Sequence, residues 1–213
     1  YGTGDKRFNH WHFVDYPIVK GGGHYNTYYP WDNANWAIKH CEKKLQNPAV
    51  SRRMQAHYLS FLIHVIGDAH QPLHCASLYS LRFPRGDAGG NAYLIQSPIA
   101  QNLHHLWDQG VGLFHLKGQK YPLSNRNITR LSRRIAKEYP VGVFSRALAD
   151  HKVRDWTRES YEEASSIAYT IPYNSKPTSR YVTLGQRISA QRIALAAYRV
   201  ATVLNHLYGK PLK

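Results

Sequence analysis

Apolar positions in this chain recur mostly at helical spacing. In "DNANWAIKHCEKKLQ", Asp32 or Asn33 offers an Asx cap, Trp36, Ile38 and Cys41 fall on helical positions, and basic residues gather late. The stretch "NPAVSRRMQAHYLSFLIHVIGDAHQPLH" opens with Asn47 as a cap and Pro48 in the first turn. Val50, Met54, Tyr58, Phe61, Leu62 and Val65 then mark a second helix. Pro72 cannot continue it, so it ends within a residue or two of His70.

Further along, "SPIAQNLHHLWDQG" predicts a helix of about three turns, started by Ser-Pro and stopped at Gly110. "NITRLSRRIAKEY" is amphipathic, with Ile128, Leu131 and Ile135 on one face and Arg130, Arg133, Arg134 and Lys137 on the others. Two long helices close the chain, at about 143–171 and 181–208. The second has a wide apolar stripe and a glycine stop at Gly209, which suits a central place in the core. Residues 1–30 and 78–97, rich in Gly and Pro, read mainly as loop. No β-alternation, repeat or linker stands out, so the expectation is one all-α domain over residues 1–213.

Composition narrows this only a little. With 213 residues and 43% hydrophobic content the chain can bury a real core. No run reaches the length of about 18 uncharged apolar residues that a membrane span needs; Ile193 to Leu204 is interrupted by Arg199. Cys41 and Cys75 can form one disulfide or remain two thiols, and their number alone leaves both open. The formal charge of +15 concentrates polyanions, whether nucleic acid or an anionic membrane surface, or serves only solubility.

The candidate chemistry lies in "FLIHVIGDAHQPLH". His64 and Asp68 are four apart on a helix and share a face, and His74 follows just beyond the Pro72 break, where the chain can turn back toward it. His104 and Asp108 repeat the four-residue spacing in "NLHHLWD", and "HWHFVD" adds His12. Imidazole and carboxylate at such spacings suit zinc, which takes N and O ligands at about 2.0–2.2 Å. Two ions a few ångströms apart neutralise both the attacking and the leaving oxygen of a phosphate ester. His70 sits between ligand positions and reads as a hydrogen-bonded support, while the other histidines read as structural.

These segments, with the "GGN" at Gly89 to Asn91, resemble the successive motifs of the S1/P1 zinc nucleases. Those are secreted enzymes that cleave single-stranded DNA and RNA and remove 3′-phosphates from nucleotides. Their mostly helical fold is shared with bacterial zinc-dependent phospholipases C. The resemblance runs from His12 to about Asp108 and extends more loosely to "ESYEEASSIAY". It implies that His12, His64 and Asp68 hold one zinc, with Asp68 bridging to another as the key catalytic residue. His74, His104 and Asp108 would hold a second, within a family cluster of three. It further implies a base pocket at Phe13 and Asp15, substrate contact at Asn91, and a secreted or periplasmic location.

The departure from the family is at the start. Its N-terminal residue, usually Trp, binds zinc through its own amino group, and a His, a further Asp and a phosphate-binding Arg follow before the position of His12. None of these is visible here; Asp5 is a poor substitute, and Tyr1 is not expected to be a ligand. The expectation is that this chain lacks roughly the first fifty family positions, carried on a cleaved segment or otherwise outside it. Two rivals follow: a phospholipase C on the same scaffold, which would carry Glu where Asp108 stands, and a non-catalytic basic fragment that binds nucleic acid. The "RGD" at Arg85 to Asp87 reads as a chance match, and "NIT" at Asn127 is a single glycosylation sequon.

Overall fold

The computed structural model describes residues 6–115 and 123–209; Tyr1 and Asp5 lie outside the described residues. Among these it is an all-helical fold with one small sheet. A 3-10 turn, Lys6–His12, leads into strand β1, Tyr16–Val19. Helices α1, Ala34–Leu45, and α2, Arg52–Asp68, follow. Strand β2 is Ala76–Tyr79, and α3, Leu103–Asp108, α4, Asn125–Glu138, α5, Ser145–Leu148, α6, Val153–Ser166, and α7, Ser179–Tyr208, complete the chain. No helix among the described residues is long and apolar enough to cross a membrane.

The caps show how local sequence sets these boundaries. Asn33 accepts hydrogen bonds from Asn35 N and Trp36 N and starts α1, as expected. The second helix starts later than Asn47: Asn47 Oδ1 instead accepts from Ala49 N in a turn of its own, and Ser51 caps α2. The Ser-Pro helix shrinks to the six residues of α3. Ile95 N bonds Gln101 O and Leu94 bridges Asn102, so the chain before Asn102 is occupied with pairing, and Asn102 becomes the cap.

The long helix expected at 143–171 is broken as well. Lys152 N turns back onto Asp150 Oδ1, and α6 starts only at Val153. By contrast, α7 runs unbroken for 30 residues, about 45 Å, to a left-handed Gly209 at φ 73°.

The sheet was not legible from alternation, because each strand has only four residues and β2 is buried along its whole length. It matters to the site. β1 pairs parallel to β2 with Tyr16 opposite Ala76, and the pairing continues backward as Val14 N to His74 O and Tyr16 N to Cys75 O. That ladder fixes the segment after His12 against the segment around His74.

Apolar burial falls into three clusters, and α7 feeds all of them. Val203 joins Trp11, Ile38, Leu62, Val65 and Trp156; Ile188 and Tyr181 join Leu103, Trp107 and Tyr169; Ala190, Ala194 and Leu195 join Leu131, Ile135 and Phe144. Cys41 and Cys75 are both free and buried, so the disulfide option is not taken. Cys41 is held in α1 and Cys75 Sγ donates to Ala69 O, and burial pushes both thiols up to about 12.

Candidate metal centre

The last turn of α2, the turn at Pro72, the start of the sheet and α3 converge to form two groups of ligand-type side chains. The first is His12, His64 and Asp68; the second is His74, His104 and Asp108. Asp68 Oδ2 lies 2.9 Å from His12 Nδ1 and 3.1 Å from His64 Nε2. Those two nitrogens are themselves 3.1 Å apart, with the rings edge to face at 84°. Donors about 2.0–2.2 Å from one tetrahedral ion stand roughly 3.3–3.6 Å from each other, so this triangle needs only to spread slightly to accept zinc.

The second group is more open and better braced. Asp108 Oδ1 is 3.5 Å from His74 Nε2, and Asp108 Oδ2 is 3.5 Å from His104 Nε2. Each imidazole donates its Nδ1 proton to a backbone carbonyl, His74 to His12 O at 2.6 Å and His104 to Gly89 O at 2.7 Å. This orients both rings so that their Nε2 atoms face the Asp108 carboxylate, the arrangement that metal-binding histidines use. Gln71 accepts from Leu73 N to shape the turn and donates from Nε2 to Asp108 Oδ1 at 2.8 Å.

Asp68 stands between the groups. Its Oδ2 serves the first, while its Oδ1 is 4.0 Å from His74 Nδ1 of the second. Burial would raise its pKa, but hydrogen bonding to His12 and His64 and the charge of His74 outweigh this and hold the carboxylate ionised far below its usual range. Asp108 is also held down: burial opposes ionisation, and His74, His104 and Gln71 overcome it. Burial drives His104 lower, toward the neutral ligand form, whereas Asp108 and Asp68 outweigh burial at His74 and lift it to about 9. A cation entering the second group must therefore displace a proton from His74.

The "GGN" segment has a steric reason. Gly89 has φ +62°, and a Cβ there would stand 2.5 Å from Leu73 O, against the turn that carries His74. Asn91 is exposed and its amide donates to Ala88 O. Phe13 is half-buried, edge-on to His10 at 6.0 Å. Asp15, in the left-handed region at φ 53°, has its carboxyl lifted to about 7 by burial and by Asp87, against the pull of His74. Asp87 of the "RGD" is buried and accepts from Leu78 N and Tyr169 OH, and Asn127 of the sequon is buried too.

His70 is buried beneath the site and away from both groups. Its Nδ1 donates to Ile66 O, and its Nε2 accepts from Arg199 Nη1 at 2.9 Å, so it is neutral. Arg199 and Arg192 both pair with Glu159, and Arg192 Nε also donates to His70 O. Together with Ser160 Oγ, which donates to Ala69 O at 2.6 Å, they hold the carbonyls that leave α2 just after Asp68. Sequence reasoning missed this support. The available signal was two arginines seven apart on the apolar stripe of α7, a spacing that returns to the same face.

Comparison with known proteins places these residues in context. Residues 2–209 match the family described as S1/P1 Nuclease. Endonuclease 4 of Arabidopsis thaliana is 29% identical over 167 residues, 73% of this chain and 52% of that protein. Endonuclease 1 of the same plant is 27% identical over 159 residues, 70% of this chain and 49% of that protein. Nuclease S1 of Aspergillus oryzae is 40% identical over a shorter stretch of 65 residues, 30% of this chain and 19% of that protein. Even in its long matches the chain spans only about half the length of these relatives.

Proposed function

The chain belongs to the S1/P1 nuclease family, and on that premise we propose that it carries zinc-dependent phosphodiester hydrolysis. The substrates are single-stranded DNA and RNA, cut to 5′-phosphonucleotides, together with the 3′-phosphates of nucleotides. The supporting observation is the pair of His-His-Asp groups, with Asp68 of the first group 4.0 Å from the His74 ring of the second. Zinc fits both: the donors are imidazole nitrogens and carboxylate oxygens, and the Nδ1 hydrogen bonds of His74 and His104 turn their Nε2 atoms toward the ion's place, with His74 giving up its proton as the ion enters. When bound, zinc supplies Lewis acidity to a phosphoryl oxygen and acidifies water.

The protein's own residues supply the frame for that chemistry. Asp68, kept ionised, presents one oxygen to the first group and the other toward the second. Gln71 fixes the orientation of Asp108. Phe13, half-buried next to His12, offers a ring for stacking on a base, a mode that tolerates mixed sequence. Asp15, titrating near 7, both donates and accepts hydrogen bonds around neutrality, as the edge of a base requires. The third zinc of the family cluster would need ligands other than these six residues. Secretion, or export to the periplasm, belongs to the same reading.

A substrate panel tests it: single- and double-stranded DNA, RNA, a 3′-nucleotide and phosphatidylcholine, each with chelator and after zinc is restored. Cleavage of the single strands and the 3′-nucleotide that stops with chelator and returns with zinc is expected. Turnover that survives thorough chelation contradicts the metal chemistry. Hydrolysis of the phospholipid alone moves the chain to the other enzyme class, and salt-sensitive binding without turnover makes it a binding fragment.

A further inference from the structure

We infer that the outer face of α4 is a track for the phosphates of a nucleic-acid strand, separate from the metal centre; the inference rests on the reading of single strands as substrate. Arg126, Arg130, Arg133 and Lys137 are all exposed. At 3.6 residues per turn their directions fall within about 60° of one another. They form one stripe on an axial length of about 16 Å, with neighbours about 4.5–6 Å apart, facing roughly five phosphates of a strand. Arg134 flanks the stripe, and Glu138, at the end of the helix, points away from it.

Two features make this more than a solvated face. The opposite side of α4 is pinned: Leu131 and Ile135 are buried against Ala190, Ala194 and Leu195 of α7. The cations therefore have a fixed outward direction. They are also uncommitted, since among the described residues none of Arg126, Arg133, Arg134 or Lys137 enters an ion pair, and Arg130 bonds only Asn127 Oδ1 at 3.1 Å.

The same pinning argues against a membrane surface. An interfacial helix needs its whole apolar face free to enter the bilayer, and here Leu131 and Ile135 of that face are buried against α7, leaving Ile128 as the exposed one of the three. The helix is also tied to the metal centre by the chain. Leu113, five residues after Asp108, packs against the cluster that holds Leu131 and Ile135. Five residues span at most about 17 Å, and packed helices sit about 8–10 Å apart, so α4 lies within roughly 30 Å of Asp108. A strand of about ten nucleotides covers that distance.

The test replaces the stripe in the whole protein with Arg126→Gln, Arg130→Gln, Arg133→Gln and Lys137→Gln. A control neutralises four cations elsewhere: Lys43→Gln, Lys44→Gln, Arg52→Gln and Arg53→Gln. Binding of a labelled single-stranded DNA of about 30 nucleotides is followed by anisotropy in chelator across a salt series. The stripe variant is expected to bind about tenfold or more weaker and to lose about 2.8 from the slope of log affinity against log salt, about 0.7 for each of four phosphate contacts.

The KM for the long strand should rise by a similar factor while turnover of a 3′-nucleotide stays unchanged. An unaltered slope, or an equal fall in the control, overturns the inference. So does loss of binding to anionic phospholipid vesicles with DNA binding retained. If the parent cleaves nothing yet the slope falls as expected, the proposed hydrolysis fails and the track stands.

Discussion

Replacing Glu159 with Gln keeps the length of the side chain and one acceptor oxygen but removes the charge opposite two buried arginines. Glu159 Oε2 accepts from Arg192 Nη1 at 2.7 Å and Arg199 Nη1 at 2.8 Å, and Oε1 accepts from Arg199 Nη2 at 2.7 Å. The arginine side chains are 8% and 1% exposed, and that of Glu159 is 33% exposed. Breaking a buried pair costs about 3–5 kcal/mol. Solvent reaches Glu159, and the two pairs share one carboxylate, so the whole effect is about 2–4 kcal/mol rather than a sum. In a chain of this size that lowers Tm by roughly 5–15 °C.

The effect carries a pH signature. Burial opposes ionisation of Glu159, but Arg199 and Arg192 outweigh it and hold its pKa below the usual 4.5. A lowered carboxylate pKa stabilises the fold fully above the unfolded value, and that stability is lost as pH falls through the folded value. The gap between parent and Glu159→Gln is therefore complete at pH 7 and closes in acid. Urea unfolding followed by circular dichroism from pH 7 to 3 measures it. A gap under about 0.5 kcal/mol at pH 7, or one that persists unchanged in acid, refutes the reasoning.

Three further changes probe the site's supports. Gly89→Ala puts a methyl against Leu73 O at a positive φ, so a loss of about 2–4 kcal/mol and weaker zinc binding through His104 are expected; full stability in a melt contradicts the steric account. Gln71→Ala frees Asp108 from its hydrogen bond and should weaken zinc binding about 10–100-fold by chelator competition, with the fold unchanged by circular dichroism; unaltered affinity counts against that role. Asp15→Asn removes a carboxyl raised from 3.8 to about 7 by burial, whose ionisation penalty is absent below pH 4 and grows as pH rises to 7. In chelator the variant should be more stable than the parent by on the order of 2–4 kcal/mol at pH 8 and equal at pH 4; a parent that is the more stable at pH 8 rules this out.

The helix periodicity of the sequence carried α1, α2, α4 and α7, because each has a repeated apolar stripe and a recognisable cap or stop. The four-residue spacings brought His64 with Asp68 and His104 with Asp108, a purely local consequence of helix geometry. What joins the two groups is not local. His12 meets Asp68 across 56 positions, beside a strand only four residues long, and Asp87 reaches Tyr169 across 82. The breaks around Asp150 and before Asn102 were hidden because one side-chain hydrogen bond or bridge outcompetes a helical pattern. The Glu159–Arg192–Arg199 support was hidden for a different reason: charged residues on a helix normally face water, and only the packing shows that these do not.

The central claim is that two His-His-Asp groups bind zinc and that this zinc drives cleavage of single strands. Bound zinc counted by mass spectrometry of the native protein, alongside cleavage of a single-stranded DNA, tests it in one series. With ions contributed by both groups, His64→Ala and Asp108→Ala should each lose one, and Asp68→Ala should disturb both. Cleavage should fall in each by about a hundredfold or more. Zinc content that is unchanged in Asp68→Ala, or zinc-free protein that cleaves as fast as the loaded form, would contradict the account.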